Sequence, residues 1–136
     1  MGNSSSGNIT GDAATGAGIS TQSRAKVDNA GVIFGGAFGI EAGVAEVTNS
    51  GVITSAATGI SGAISANVVN LGSISATQTG IFGTDVTVKH SGLVSAGTAG
   101  TALDCLNSPH VTNSVPITAS HSGGRRPRFR YVDRGT

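Results

Sequence analysis

Two carboxylates, Asp85 and Asp104, and three softer side chains, His90, Cys105 and His110, have the types and spacing that can do chemistry in this 136-residue chain. A pair of acids gathered on one face can ligate a metal or divide the roles of acid and base in polysaccharide cleavage. A thiol near imidazoles can act as a nucleophile. Neither constellation is well supported by its surroundings. No Arg or Lys column accompanies the two acids, so ordinary solvated side chains are the plainer reading. Cys105 lacks a G-S-C or similar context, and as the single cysteine it excludes both an intramolecular disulfide and a multi-cysteine zinc site. A phosphate loop of the form G-x-x-x-x-G-K-[ST] and the calcium-binding nonapeptide are both missing from the sequence. We therefore assign no catalytic, cofactor-binding or metal-binding residue, and expect a protein that is not an enzyme.

What positions these residues is a repeat. "VDNAGVIFGGAFGIE" (27–41) returns as "VTNSGVITSAATGIS" (47–61), "VVNLGSISATQTGIF" (68–82) and "VKHSGLVSAGTAGTA" (88–102), with a degraded copy at 111–120. The anchoring glycines Gly31, Gly51, Gly72 and Gly92 are 20, 21 and 20 residues apart. A period of that length denotes a solenoid. Val27, Val47, Val68 and Val88 stand four places before the anchors; Ile33, Ile53, Ile74 and Val94 stand two after. Second glycines at 39, 59, 80 and 100 are followed by Ile40, Ile60 and Ile81, with Thr101 breaking the column. A further interior position falls about thirteen residues after the anchor, at Val44 and Ile64 and less cleanly at Val86.

The apolar positions are β-branched and are separated by Gly, Asn and Ser, which is strand and corner chemistry. Leucine-rich spacing and helical periodicity are both missing. The expected fold is all-β: a parallel β-helix (β-solenoid) of five to six coils of about twenty residues, each with three short strands, forming a rod roughly 25 Å long at about 4.8 Å per coil. Equivalent side chains then stack from coil to coil, with Val and Ile inside and Ser and Thr in solvent. Asn29, Asn49, Asn70 and Asn113 form a column two places before the glycine position and predict a structural asparagine ladder. The N-x-G corner is expected to use left-handed backbone. His90, which replaces Asn in the fourth copy, reads as a tolerated polar substitute.

The ends differ from the middle. Residues 1–6 read as a flexible stretch, 7–120 as the repeats, with "GI" at 18–19 following a three-residue insertion, and 103–110 as a loop before a last, loose coil damaged by Val115 and Pro116. Residues 121–136 read as a basic, disordered tail. Up to residue 124 the chain has three basic and six acidic residues, whereas the tail has five arginines against Asp133. The body thus carries no basic field for nucleic acid. The glycosylation patterns "NSS" and "NIT" and the N-terminal myristoylation pattern arise readily by chance in such a composition. No run of about eighteen apolar residues is present to span a membrane, and "MGNSSSGNIT" lacks the pattern of an export signal. Uncapped coil ends predict end-to-end self-association.

"VDNAGVI", "VTNSGVI" and "VVNLGSI", each followed by "GI" at the same distance, resemble the passenger region of bacterial autotransporters and haemagglutinin-like adhesins of the type V secretion class. The likeness covers about residues 7 to 118. It implies an exported, right-handed parallel β-helix, at the cell surface or outside the cell, that presents a structural or adhesive face to a host or neighbouring cell. From charge and hydropathy, no nucleic-acid partner and no membrane insertion of this chain are expected. Members of that family are usually longer, begin with an export signal and end in a membrane barrel. The Arg-rich tail reads like a shifted frame, so a truncated or misframed passenger is expected. The alternative is a fragment of a β-helix polysaccharide lyase or hydrolase, which needs Asp85 and Asp104 in one groove.

Overall fold

The computed structural model describes residues 1–12, 14–113 and 118–119. Among them the chain forms thirteen strands in two parallel sheets. The first sheet is built from β1 (Gly2–Asn3), β3 (Ala17–Ser20), β4 (Arg24–Asn29), β6 (Phe38–Asn49), β8 (Thr58–Asn70), β10 (Thr79–His90) and β12 (Thr101–Asn113). Short strands make the second: β2 (Asn8–Thr10), β5 (Val32–Gly35), β7 (Val52–Ser55), β9 (Ser73–Ala76), β11 (Leu93–Ala96) and β13 (Thr118–Ala119). Every strand pairs with its counterparts one coil away, giving a parallel β-solenoid of about five turns.

Alternation within each strand sends the β-branched residues inward, and the parallel register lays them on one another. Val27, Val47, Val68 and Val88 pair in sequence, as do Ile33, Ile53, Ile74 and Val94. Ile19, Ile40, Ile60, Ile81 and Leu103 make a third column. Apart from the end residues Ile19 and Leu103, each of these is almost wholly buried. Side-chain stacking over one another supplies the apolar core that so small a repeat cannot form alone.

Three features depart from the expected coil. Each complete coil contains one four-residue strand and one strand of 12 or 13 residues, rather than three short strands. The long strand is divided by a bulge: Ala42 faces Gly62 but Val44 faces Ser65, so Ala63 and Ile64 occupy the place of Gly43 alone. That extra residue accounts for the 21-residue step. The fourth interior column is Ala25, Ala45, Ala66 and Val86, with Ala45 one place past the expected Val44 and Ala66, behind the bulge, two places past Ile64. Of the three residues expected there, only Val86 is inside; Val44 is half-buried, and Ile64 is 64% exposed.

Second, the corner between Ala96 and Thr101 is two residues longer than that between Ala76 and Thr79, and is closed by Gly100 N–H donating to Gly97 O at 2.8 Å. The "GI" column therefore continues through Ala102 and Leu103, not Gly100 and Thr101. Third, residues 103–110 are strand, not loop, and pair with β10 along most of their length. Pro109 is accommodated because β12 is outermost among the described strands of its sheet, where a missing N–H is tolerated. The expected insertion before "GI" at 18–19 is present: Thr10 to Ala17 spans three residues more than its partners Phe34 to Phe38. Asp12 ties that corner by accepting the N–H groups of Thr15 and Ala14 at 3.0 Å, which hold its carboxyl below the usual range.

Gly2 and Asn3 pair with Asp28 and Asn29, so the first six residues include a strand instead of being a wholly flexible stretch. Val115, Pro116 and the tail from 120 lie outside the described residues.

One polar group sits inside the stack at some cost. Ser55 is buried with no hydrogen-bond partner for its hydroxyl, and its column continues as Ala76 and Ala96. Replacing Ser55→Ala removes an unsatisfied group, and we expect it to raise stability by about 1 kcal/mol in urea unfolding.

Candidate functional site: the asparagine ladder and the outward faces

The ladder occupies the corner that ends each long strand. Asn29 Nδ2 donates to Asn49 Oδ1 at 2.8 Å, and Asn49 Nδ2 donates to Asn70 Oδ1 at 2.8 Å. Each side chain also reaches across to the short-strand sheet: Asn29 to Val52 O at 3.2 Å, Asn49 to Ser73 O at 3.1 Å and Asn70 to Leu93 O at 2.9 Å. The backbone carbonyls of Asn29, Asn49 and Asn70 accept the corner N–H groups of the following coil. All three residues are buried, and the amides bind the two sheets together at their shared edge.

Asn3 is a member that the sequence pattern did not yield. Its Nδ2 donates to Asn29 Oδ1 at 2.8 Å, beginning the ladder one coil earlier. The signal was present, since "NSSSG" puts an Asn four places before Gly7, but the spacing to glycine differs from the two places used elsewhere. At the other end Asn113 pairs in backbone register with His90, which itself pairs with Asn70; the Asn113 side chain lies outside the description.

The anchor glycines have a different reason from the one expected. Gly31, Gly51, Gly72 and Gly92 do not adopt the left-handed backbone; a Cβ on Gly51, Gly72 or Gly92 would strike the carbonyl oxygen of the previous anchor. Close approach of neighbouring coils, rather than turn geometry, selects glycine there.

Buried His90 stands at the fifth position of the column, after Asn3, Asn29, Asn49 and Asn70. Burial pushes its imidazole below the ordinary value, partly offset by the Gly92 backbone. The folded state therefore favours the neutral ring, and the unfolded chain takes up the proton first. The stability this contributes is complete above about pH 6.5, the ordinary histidine value, and is lost as the pH falls through the lower folded value. Melting temperatures should fall more steeply below about pH 6.5 for the wild type than for His90→Asn, which has no proton to gain.

The acids are not brought together. Asp85 follows the bulge and pairs with Ser65 and Ser108, whereas Asp104 precedes it and pairs with Phe82. The register therefore sets Asp104 opposite a residue three places before Asp85, on the other side of the bulge, and the two acids do not face one another. Cys105 pairs with Gly83 and donates its thiol to Thr84 O at 3.3 Å; His110 pairs with Thr87 farther along the strand. Among the described residues no three His, Cys, Asp or Glu side chains stand together as a metal site.

A shallow groove of about 310 Å³ runs over the outer surface of the arm after the bulge, lined by Lys26, Asp28, Glu46, Asn67, Thr87 and Lys89 among others. These residues are scattered in sequence and meet only because coils stack: Lys26, Glu46, Asn67 and Thr87 form one outward column, and Asp28, Thr48, Val69 and Lys89 another. Arg24 pairs with Glu46 at 2.6 Å across the rim; that ion pair is solvated and contributes little to stability. Both charge signs, an amide and hydroxyls are thus displayed beside exposed Val69 on an open strip, suited to many weak mixed contacts rather than to one anchored ligand.

The fold and its surfaces define a parallel β-solenoid with an internal amide ladder. No protein-family model, no curated protein and no solved structure matches the chain.

Proposed function

We propose that the chain is a non-catalytic structural or adhesive scaffold, a segment of an exported passenger of the autotransporter type, acting at a cell surface or outside the cell. The observation that supports this reading is the division of labour among columns. Asn, Val and Ile columns stack along the axis inside the rod, while outward columns mix charged and polar side chains with exposed Val69 in a strip several coils long. Such a strip meets a host or neighbouring surface by summing weak contacts over its length, and the rigid backbone spares the entropy that ordering a loop would cost.

The test is adhesion of beads coated densely with the full chain to cells and to immobilised surface glycans. Retention that falls at least several-fold when Lys26, Asn67 and Lys89 are changed together to Glu, with the circular dichroism spectrum unchanged, is the expected result. Equal retention of coated and bare beads overturns the proposal. So does turnover of a pectin-like polysaccharide that Asp85→Ala abolishes, since that would make the chain a β-helix lyase or hydrolase.

A further inference from the structure

Beyond the bulge the long strands present three outward columns, and the order of side chains in them is self-complementary. From β4 through β6 and β8 to β10, the first column is Arg24, Val44, Ser65 and Asp85, the second Lys26, Glu46, Asn67 and Thr87, and the third Asp28, Thr48, Val69 and Lys89. The first begins with a cation and ends with an anion; the third begins with an anion and ends with a cation. Arg24, Asp28, Asp85 and Lys89 are all exposed, at the four corners of the patch. Asp28 and Lys89 stand three coils apart in their column, about 14 Å at the ordinary strand spacing, which is too far for them to pair with each other. The same holds for Arg24 and Asp85. Among the described residues Arg24 pairs with Glu46, while Asp28, Asp85 and Lys89 join no ion pair.

We propose that this face is an interaction surface for a second copy of the chain, laid face to face with its coils in reverse order. The inference names a partner for the strip, and it rests on the reading of that strip as a contact surface under the proposed function. A two-fold axis parallel to the strands and lying between β6 and β8 sets each column against itself, with β4 opposite β10 and β6 opposite β8. Asp28 meets Lys89 of the second copy and Arg24 meets its Asp85, each pair occurring twice by symmetry. No like charges are opposed: Lys26 meets Thr87, Glu46 meets the Asn67 amide, and Thr48 covers exposed Val69. Packed sheets lie roughly 10 Å apart, within reach of these side chains from both faces. The other two-fold arrangement, with coils in the same order, sets Lys26 against Lys26 and Glu46 against Glu46. The patch buries on the order of a few hundred Å² per copy, below the ~800 Å² of a standard interface, so the dimer is weak and reversible. Its corner charges fix orientation more than they add affinity.

Sedimentation equilibrium of the full 136-residue chain tests this. At concentrations up to about 1 mM the weight-average mass should rise toward twice the monomer's and not pass it. Lys89→Glu sets two anions together and should weaken the dimer at least about ten-fold, whereas Asp28→Lys/Lys89→Glu reverses the pair and should restore it to within about three-fold of the wild type. With coils in the same order the double variant would oppose two cations at Arg24 and would not recover. Carbodiimide coupling of the wild type, which joins a carboxylate to an amine in contact with it, gives a reading that needs no variant: a dimer linked between Asp28 and Lys89. A monomer at every concentration, a mass that passes the dimer, a Lys89→Glu variant that dimerises like the wild type, a double variant no better than Lys89→Glu, or a dimer linked elsewhere than at Asp28 and Lys89 overturns the proposal. Coated beads that hold to cells while the chain stays monomeric refute this partner and leave the adhesive reading standing; a dimer without retention on cells does the reverse.

Discussion

Asn49→Ala should destabilise the solenoid by about 3–4 kcal/mol, a large share of what holds a domain of this size together. Asn49 is fully buried, receives the Asn29 amide, and gives its own to Asn70 Oδ1 and Ser73 O. Truncation removes these bonds together and leaves the Asn70 oxygen without its donor in a site closed to water. Leaving a buried partner unsatisfied costs more than the bond itself contributes. Asn3→Ala, at the more exposed end of the same ladder, loses three bonds instead of four and should cost less, about 2 kcal/mol. Asn49→Asp gives a sharper contrast. Its carboxylate would face the Asn70 oxygen with no proton to share, so the loss should be greatest at neutral pH and partly recovered in acid. Urea unfolding followed by circular dichroism reads all three; equal losses for Asn49→Ala and Asn3→Ala would remove the ladder from the account of stability.

Gly51→Ala should cost about 3 kcal/mol or more, although it adds a single methyl group. The new Cβ would lie against Gly31 O and within 2.6 Å of the Ala30 carbonyl carbon. Both belong to backbone fixed by hydrogen bonds between coils: Val52 N–H donates to Gly31 O at 2.8 Å. Neither can withdraw without opening the ladder. Gly2→Ala is the control, because a Cβ there meets nothing within 4 Å, and it should change stability by less than about 0.5 kcal/mol. Thermal melts of the two variants side by side separate steric contact from any general effect of losing a glycine.

These two positions also show what the sequence made legible. Recurrence of Asn29, Asn49 and Asn70 at a fixed distance from glycine was enough to indicate a ladder, because a column in a parallel stack repeats its chemistry at the coil period. The role of glycine was misjudged for an equally physical reason. Asn and Gly are common in left-handed corners, and sequence alone does not distinguish a residue chosen for its φ from one chosen because a neighbouring carbonyl occupies the place of its Cβ. The interior positions beyond the bulge were displaced for another reason. Ile64 looks like a core residue by type, yet one extra residue in the strand turns it outward, and apolar type carries no information about register. The outer groove was hidden because Lys26, Glu46, Asn67 and Thr87 share no local motif. They become neighbours only when coils of unequal length are laid in correct register.

That inequality of length has a consequence for how such a chain can change. The additional residues occur at the Gly11–Gly16 corner, at the 97–100 corner and at the bulge near Ala63 and Ile64, while the steps between successive asparagines absorb them without losing a rung. The fold therefore rests on two short words per coil, V-x-N (V-K-H at 88–90) and the Ile or Val four residues after it, and leaves the punctuation between them open to insertion. Copying errors that duplicate a coil preserve the frame of stacking, and errors that lengthen a corner add ornament to the outside of the rod. A lineage built in this way can diverge beyond recognition by sequence while keeping every core contact in place.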